Sequence, residues 1–440
     1  MNKFIEIAGR IGSQRHLVAI RDGFVSVMPL IIVGSLAILI NNFPAIQLGN
    51  WSLDFVGSMN NAFGEGSWQR LGGNIWNASF AILGLLVAFS IAYNLARSYD
   101  IDGLAAGILS IASYVMLVPV TKDWGLSFAW LGAQGLFVAI IVSLLVTEAF
   151  RLLIHTKLTI RMPEGVPGGV TRSFQALIPS MIILTVVAAI QLFIQVKLEL
   201  SIFEVIFKAI QQPLQGFGDS LAAGLIIALL NHVLWFFGLH GTNIIGSVIE
   251  PIYLPLIEQN LAAFQAGASA YDVPYTVTKP FLDAFVFMGG SGTTLSLLLA
   301  IFIVVRKQRN HPYHQVAKLS APAGLFNINE PVIFGMPIVL NPVMLIPFIL
   351  APVVLTVVSY VALSTGMVPK TVAIVPWTTP PIISGYLVTG GSIRGVLLQV
   401  FNLTLATLIY IPFVVAGARA MTAEINRNNK DSIHEGEKIS

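Results

Sequence analysis

Nine apolar runs, each long enough to cross a bilayer, follow one another along this chain and leave little room for a water-soluble fold. A crossing helix needs roughly 20 largely apolar residues. The runs are Phe24 to Ile40, Ser79 to Leu95, Leu104 to Val120, Phe128 to Glu148, Phe174 to Val196, Ser220 to Gly238, Asp283 to Val305, Val343 to Leu363 and Gly395 to Gly417. A tenth, Ile244 to Phe264, is interrupted by Glu250, Pro251, Pro255 and Glu258. Only 10% of the residues are charged and mean hydropathy is +0.81, whereas soluble domains carry about a quarter charged residues. The expectation is an all-α integral membrane protein with about ten transmembrane helices and re-entrant hairpins.

An even number of crossings puts both termini on one side, and the basic residues say which. With ten crossings, the segments sharing a side with the termini hold most of the 24 Lys and Arg, leaving Arg70, Lys122, Lys197, Lys208, Lys279, Lys370 and Arg394 opposite. Both ends are therefore expected in the cytoplasm. Basic loops also account for the formal net charge of +3 without a nucleic-acid partner. Residues 1–23 mix Lys3, Arg10, Arg15 and Arg21 with apolar residues and carry no cleavage-site pattern, so they read as a retained lead-in to the first span.

The first five runs are clean, while prolines, glycines and polar residues gather after about residue 200. This divides the chain into a scaffold half over 1–200, an amphipathic linker helix over 201–217, a transport half over 218–420 and a cytoplasmic tail over 421–440. In the linker, Ile202, Phe203, Ile206, Phe207 and Ile210 share one helical face, as in an interfacial helix. Ala321 to Pro342 is too broken by Pro, Gly and Asn for a plain span and reads as a re-entrant hairpin. Thr371 to Thr389, with Pro376, Pro380 and Pro381, reads as a second broken element.

Within the first hairpin stands Glu330, flanked by Asn327, Asn329 and Pro331. An acid in an apolar segment is costly and functional by default. One carboxylate and two amides within four residues suit vicinal hydroxyls of a sugar, although a turn acid facing water would look the same. His240, in Trp235-Phe-Phe-Gly-Leu-His-Gly241, can exchange a proton near neutrality, or it can merely cap a helix end. His232 reads as structural or pore-lining. Phe287-Met-Gly-Gly-Ser-Gly-Thr-Thr294 lacks the Lys of a nucleotide loop and reads as helix breaking or close packing rather than a phosphate cradle. Asp283 is a second candidate acid, Arg21 an anchor or an inward-turned cation, and Trp377 a sugar-stacking wall or an interfacial ring. No cysteine is present, nothing points to a cofactor, and His240 with Glu330 would need further ligands to hold a metal.

Three runs resemble enzyme IIC of the lactose, cellobiose and diacetylchitobiose branch of the phosphotransferase system. They are Gly324-Leu-Phe-Asn-Ile-Asn-Glu-Pro-Val-Ile-Phe-Gly-Met-Pro337, the Trp-Phe-Phe-Gly-Leu-His-Gly element and Gly12-Ser-Gln-Arg-His-Leu-Val-Ala-Ile-Arg-Asp-Gly-Phe24. The likeness extends in outline over nearly the whole chain. It implies a homodimer in the bacterial inner membrane, a disaccharide substrate of the cellobiose or diacetylchitobiose type, and import coupled to phosphorylation. It also implies that the phosphoryl group comes from a cysteine of a separate, phosphorylated IIB protein. Glu330 and His240 match the family's sugar-site acid and imidazole, with Asn327, Asn329, Arg21 and Trp377 following. An ion-coupled secondary sugar transporter also uses broken helices and a midplane acid, and stays open as the alternative.

Overall fold

The structure is a computed structural model that describes residues 2–42, 46–48, 51–64, 66–121, 123, 125–163, 165–336, 338 and 341–439. Lys122, Pro337, Val339 and Leu340, named or spanned above, lie outside the described residues. Among the described residues the regular structure is helical apart from an isolated bridge between Val120 and Leu126 and a short antiparallel hairpin that pairs Ile46–Leu48 with Trp51–Leu53 in the register Ile46 to Leu53 and Leu48 to Trp51. Among the described residues, six helices are long and apolar enough to cross a membrane: Arg15–Asn41, Gln69–Ser98, Ala133–Ile154, Gly168–Leu198, Val343–Ser364 and Ile393–Ala423. The other four expected runs form shorter, broken or acid-bearing helices. Gly103–Leu117 and Leu221–Phe236 are short, Asp283 to Val305 is interrupted between Lys279–Phe285 and Thr294–Val304, and Gly241–Gln265 runs unbroken through Pro251 and Pro255.

The chain divides into two compact units. The first is Met1–Ser220, Asn243–Lys279 and Val372–Ile374, and the second is Leu221–Thr242, Pro280–Thr371 and Val375–Ser440. Packing therefore does not follow a single break near residue 200. Helix Gly241–Gln265 brings Leu254, Ile257 and Leu261 into the core of the first unit, so its apolar face decides where it belongs. The linker segment also packs there. It consists of helix Ile202–Ile206, a wider turn at Phe207–Gln211 and helix Gln212–Gly218, and it opens with a capping box between Ser201 and Glu204. Phe203 on its apolar face is fully buried, with its ring 5.3 Å from those of Tyr114 and Trp130, so that residue faces protein.

Small residues bring the helices of the first unit close enough for side chains to reach neighbouring backbones, as is common inside membranes. Ser90 Oγ donates to the Gly23 carbonyl at 3.0 Å and Ser110 Oγ to the Ala88 carbonyl at 2.8 Å. Tyr114 Oη donates to the Trp130 carbonyl at 2.5 Å, and Gly84 lies directly against it. A Cβ at Gly84 would stand 2.5 Å from that hydroxyl and 2.9 Å from the carbonyls of Leu131 and Gly132, whereas one at Gly73 would meet nothing. Gly84→Ala is accordingly expected to cost about 1–3 kcal/mol by overpacking. Gly73→Ala should be neutral or slightly stabilising, as expected for a helix interior. Thermal unfolding of the two purified variants in detergent checks the contrast.

Candidate functional site

In the second unit, helix Leu221–Phe236 closes with the Gly238 and Leu239 amides bonded back to the Trp235 and Leu234 carbonyls. Gly238 takes the left-handed φ of +77° that such a closure demands. His240 follows immediately. Its ring lies 4.5 Å from the ring of Trp235, which is itself buried. Gly241 sits so tightly on the Asn231 carbonyl that no side chain would fit there.

Glu330 comes from a helical hairpin. Helix Pro312–Leu325 ends at a turn where Asn327 adopts φ +62°, a conformation Asn tolerates better than most residues, and Glu330–Gly335 starts three residues later. The Asn327 carboxamide holds this turn: Oδ1 accepts from the Gly289 amide at 2.7 Å, and Nδ2 donates to the carbonyls of Trp377 at 2.6 Å and Thr379 at 3.0 Å. Asn327 is 6% exposed, so its amide fixes three backbone groups on two segments instead of reaching out to a hydroxyl, as the sequence had suggested. Asn329 is also buried and donates to the Ser291 carbonyl at 3.1 Å. Trp377, with its carbonyl held by Asn327, leaves its side chain in the open, and the residue is 55% exposed.

The glycine-rich turn lies beneath both elements. Gly289, Gly290 and Gly292 all have φ between +84° and +89°, and Thr293 has φ +52°. A Cβ at Gly290 would come within 2.6 Å of the Asn327 carbonyl. The amides of Gly289, Gly290, Gly292 and Thr293 bond to Asn327 Oδ1, the Phe287 carbonyl, His232 Nε2 and the Gly290 carbonyl respectively. With those donors engaged, the turn serves as a packing element. His232 bonds through both ring nitrogens. Nδ1 meets the Ala228 carbonyl and Nε2 the Gly292 amide at 2.6 Å, so one nitrogen donates, the other accepts, and the ring is neutral. It is structural.

His240 Nε2 stands 3.6 Å from Glu330 Oε1, with the side chains 41% and 45% exposed. That separation is an ion-pair distance but too long for a hydrogen bond, so a hydroxyl oxygen can touch both groups at once. Asp283 is half-buried on Lys279–Phe285. Arg21 belongs to the first unit, where it pairs with Asp22 at 2.8 Å. Sequence reading passed over Asn231, Thr242 and Ser291, whose side chains bond to one another beside the site, and Gln399, which accepts from the Ile382 and Gly385 amides. Their signal was a polar residue inside an apolar run, as at Leu-Leu-Asn231-His-Val.

The family model described as "Phosphotransferase system, EIIC" matches residues 21–352. The chain belongs to the phosphotransferase system EIIC family. It is 40% identical to the Lichenan permease IIC component of Bacillus subtilis over 93% of this chain and 91% of that protein. It is 39% identical to the cellobiose-specific EIIC component of Geobacillus stearothermophilus over 96% and 94%. Among solved structures, the crystal structure of the transporter ChbC, the IIC component of the N,N'-diacetylchitobiose-specific phosphotransferase system, superposes with a TM-score of 0.89 at 43% identity, covering 96% of this chain and 98% of that one. The resemblance read from the Asn-Glu-Pro and Gly-Leu-His-Gly runs is thus confirmed, and this EIIC is a sugar-translocating integral membrane subunit. Membership implies a sugar substrate and a IIB partner.

In this EIIC, Asn327→Asp keeps the acceptor for Gly289 but sets a second oxygen against the carbonyls of Trp377 and Thr379. A buried donor lost in this way costs about 1–3 kcal/mol, and more when charge is added. The variant is expected to unfold at lower temperature than Asn327→Ala, as read by thermal unfolding in detergent.

Proposed function

We propose that this EIIC imports a β-linked disaccharide of the cellobiose or diacetylchitobiose type and delivers it to the cytoplasm as its phosphate. Support for the substrate class comes from the cellobiose and diacetylchitobiose named for its relatives. Support for the site comes from the 3.6 Å gap between His240 and Glu330. In this reading, the two side chains hold and polarise the sugar's 6-hydroxyl while a phosphorylated IIB protein brings the phosphoryl group in line with it. Asn329 and Trp377 border the sugar, Asn327 keeps the Glu330 hairpin in register, and Asp283 is a secondary contact.

Two copies of the first unit form the scaffold and dimer contact, and the second unit carries the sugar across. Helix Gly168–Leu198 supports this assignment by leaving Met181, Leu192, Phe193 and Val196 open to lipid or a second copy. Both termini lie in the cytoplasm of the bacterial inner membrane, where basic loops receive IIB. Residues 1–440 hold no cysteine, which supports a phosphorylcysteine carried outside them, on the IIB protein.

Uptake of radiolabelled cellobiose, lactose and diacetylchitobiose into vesicles, with and without phosphorylated IIB, checks this directly through the product inside. Phosphorylated sugar appearing only with IIB is expected. Free sugar accumulating on an imposed ion gradient would instead make the protein a secondary transporter, with Glu330 as its coupling acid. In the same vesicles, Glu330→Gln and His240→Ala should each lower phosphorylation-coupled uptake by about 10²-fold or more.

A further inference from the structure

Two chain segments must be held in mutual register for His240 and Glu330 to stay 3.6 Å apart, and one buried side chain bonds toward both. Asn231, fully buried, donates through Nδ2 to Ser291 Oγ at 2.9 Å and accepts through Oδ1 from Thr242 Oγ1 at 3.2 Å. Thr242 and Ser291 close the triangle with a hydroxyl–hydroxyl contact of 3.3 Å. One arm reaches the residue two positions after His240. The other reaches the turn whose Ser291 carbonyl accepts from Asn329, the neighbour of Glu330. From these contacts we propose that Asn231 is a positioning residue, setting the spacing of His240 and Glu330 through Thr242 and Ser291 without touching the sugar.

The chemistry favours a hydrogen-bonded register over simple packing. An Asn inside an apolar helix is costly unless its amide is satisfied, and here both ends of the amide are used across separate segments. The next residue, His232, grips the same turn through the Gly292 amide, and Tyr410 Oη donates to the Gly292 carbonyl at 2.5 Å. The turn is thus anchored independently. Asn231 is the member of this set that also reaches the His240 segment.

The inference rests on the sugar-binding reading above. Its test is the affinity of purified protein for radiolabelled cellobiose and diacetylchitobiose, with folding followed by size-exclusion chromatography and thermal unfolding. Thr242→Val, which keeps the shape but removes the hydroxyl, should weaken binding roughly tenfold, while Thr242→Ser should bind within about twofold of wild type. Asn231→Leu should match the loss in Thr242→Val, and combining the two should cost no more than either alone. If Asn231→Leu does not fold, Ser291→Ala takes its place in the same cycle. Additive losses would mean that Thr242 meets the sugar itself, and a greater loss in Thr242→Ser than in Thr242→Val would mean that only packing matters. Either result overturns the inference. Wild-type protein binding neither sugar would instead overturn the substrate reading, and the inference with it.

Discussion

A peptide group taken out of water needs a partner within the protein, and in the second unit this requirement falls on the stretch from Phe285 to Thr294 where the helix is broken. Asn327, His232 and Asn402 answer it from three other segments: Asn327 takes the Gly289 amide, His232 the Gly292 amide, and Asn402 donates to the Phe285 carbonyl at 3.0 Å. Each of these side chains is buried, where an unmet hydrogen bond is expensive. The turn is therefore held to one arrangement. His240 and Glu330 inherit their spacing from it, because the segments that carry them bond to its Ser291.

The first unit meets the same requirement by a different route. Its long helices satisfy their own backbones, and its buried serines need only a nearby carbonyl, as Ser90 finds at Gly23. Its helices pack closely through small residues such as Gly84. A unit built this way suits a rigid support. The second unit spends its polar residues on broken helices and ends with an acid and an imidazole left partly open, which suits a site that must exchange water for sugar hydroxyls.

Much of this was legible in the sequence, since apolar runs of span length carry a cost that only a membrane fold explains, and an acid beside two amides in a broken segment marks a candidate site. Glu330 stood out for that reason and His240 as an imidazole between glycines at the end of an apolar run, and the structure brings them together. What stayed hidden was the direction of each amide. Asn327 looks from sequence like a sugar ligand, but its donors face the Trp377 and Thr379 carbonyls, fifty residues away along the chain. The placement of Gly241–Gln265 was hidden for a similar reason: its prolines and glutamates weaken the span signal, while three apolar residues on one face commit it to the first unit's core.

The most direct test of the account is a structure of the purified protein with cellobiose or diacetylchitobiose bound. The account predicts one sugar hydroxyl within hydrogen-bonding distance of both Glu330 and His240 Nε2, with the Asn327 amide still on its three backbone partners. A sugar bound elsewhere, with no contact to either Glu330 or His240, would contradict it.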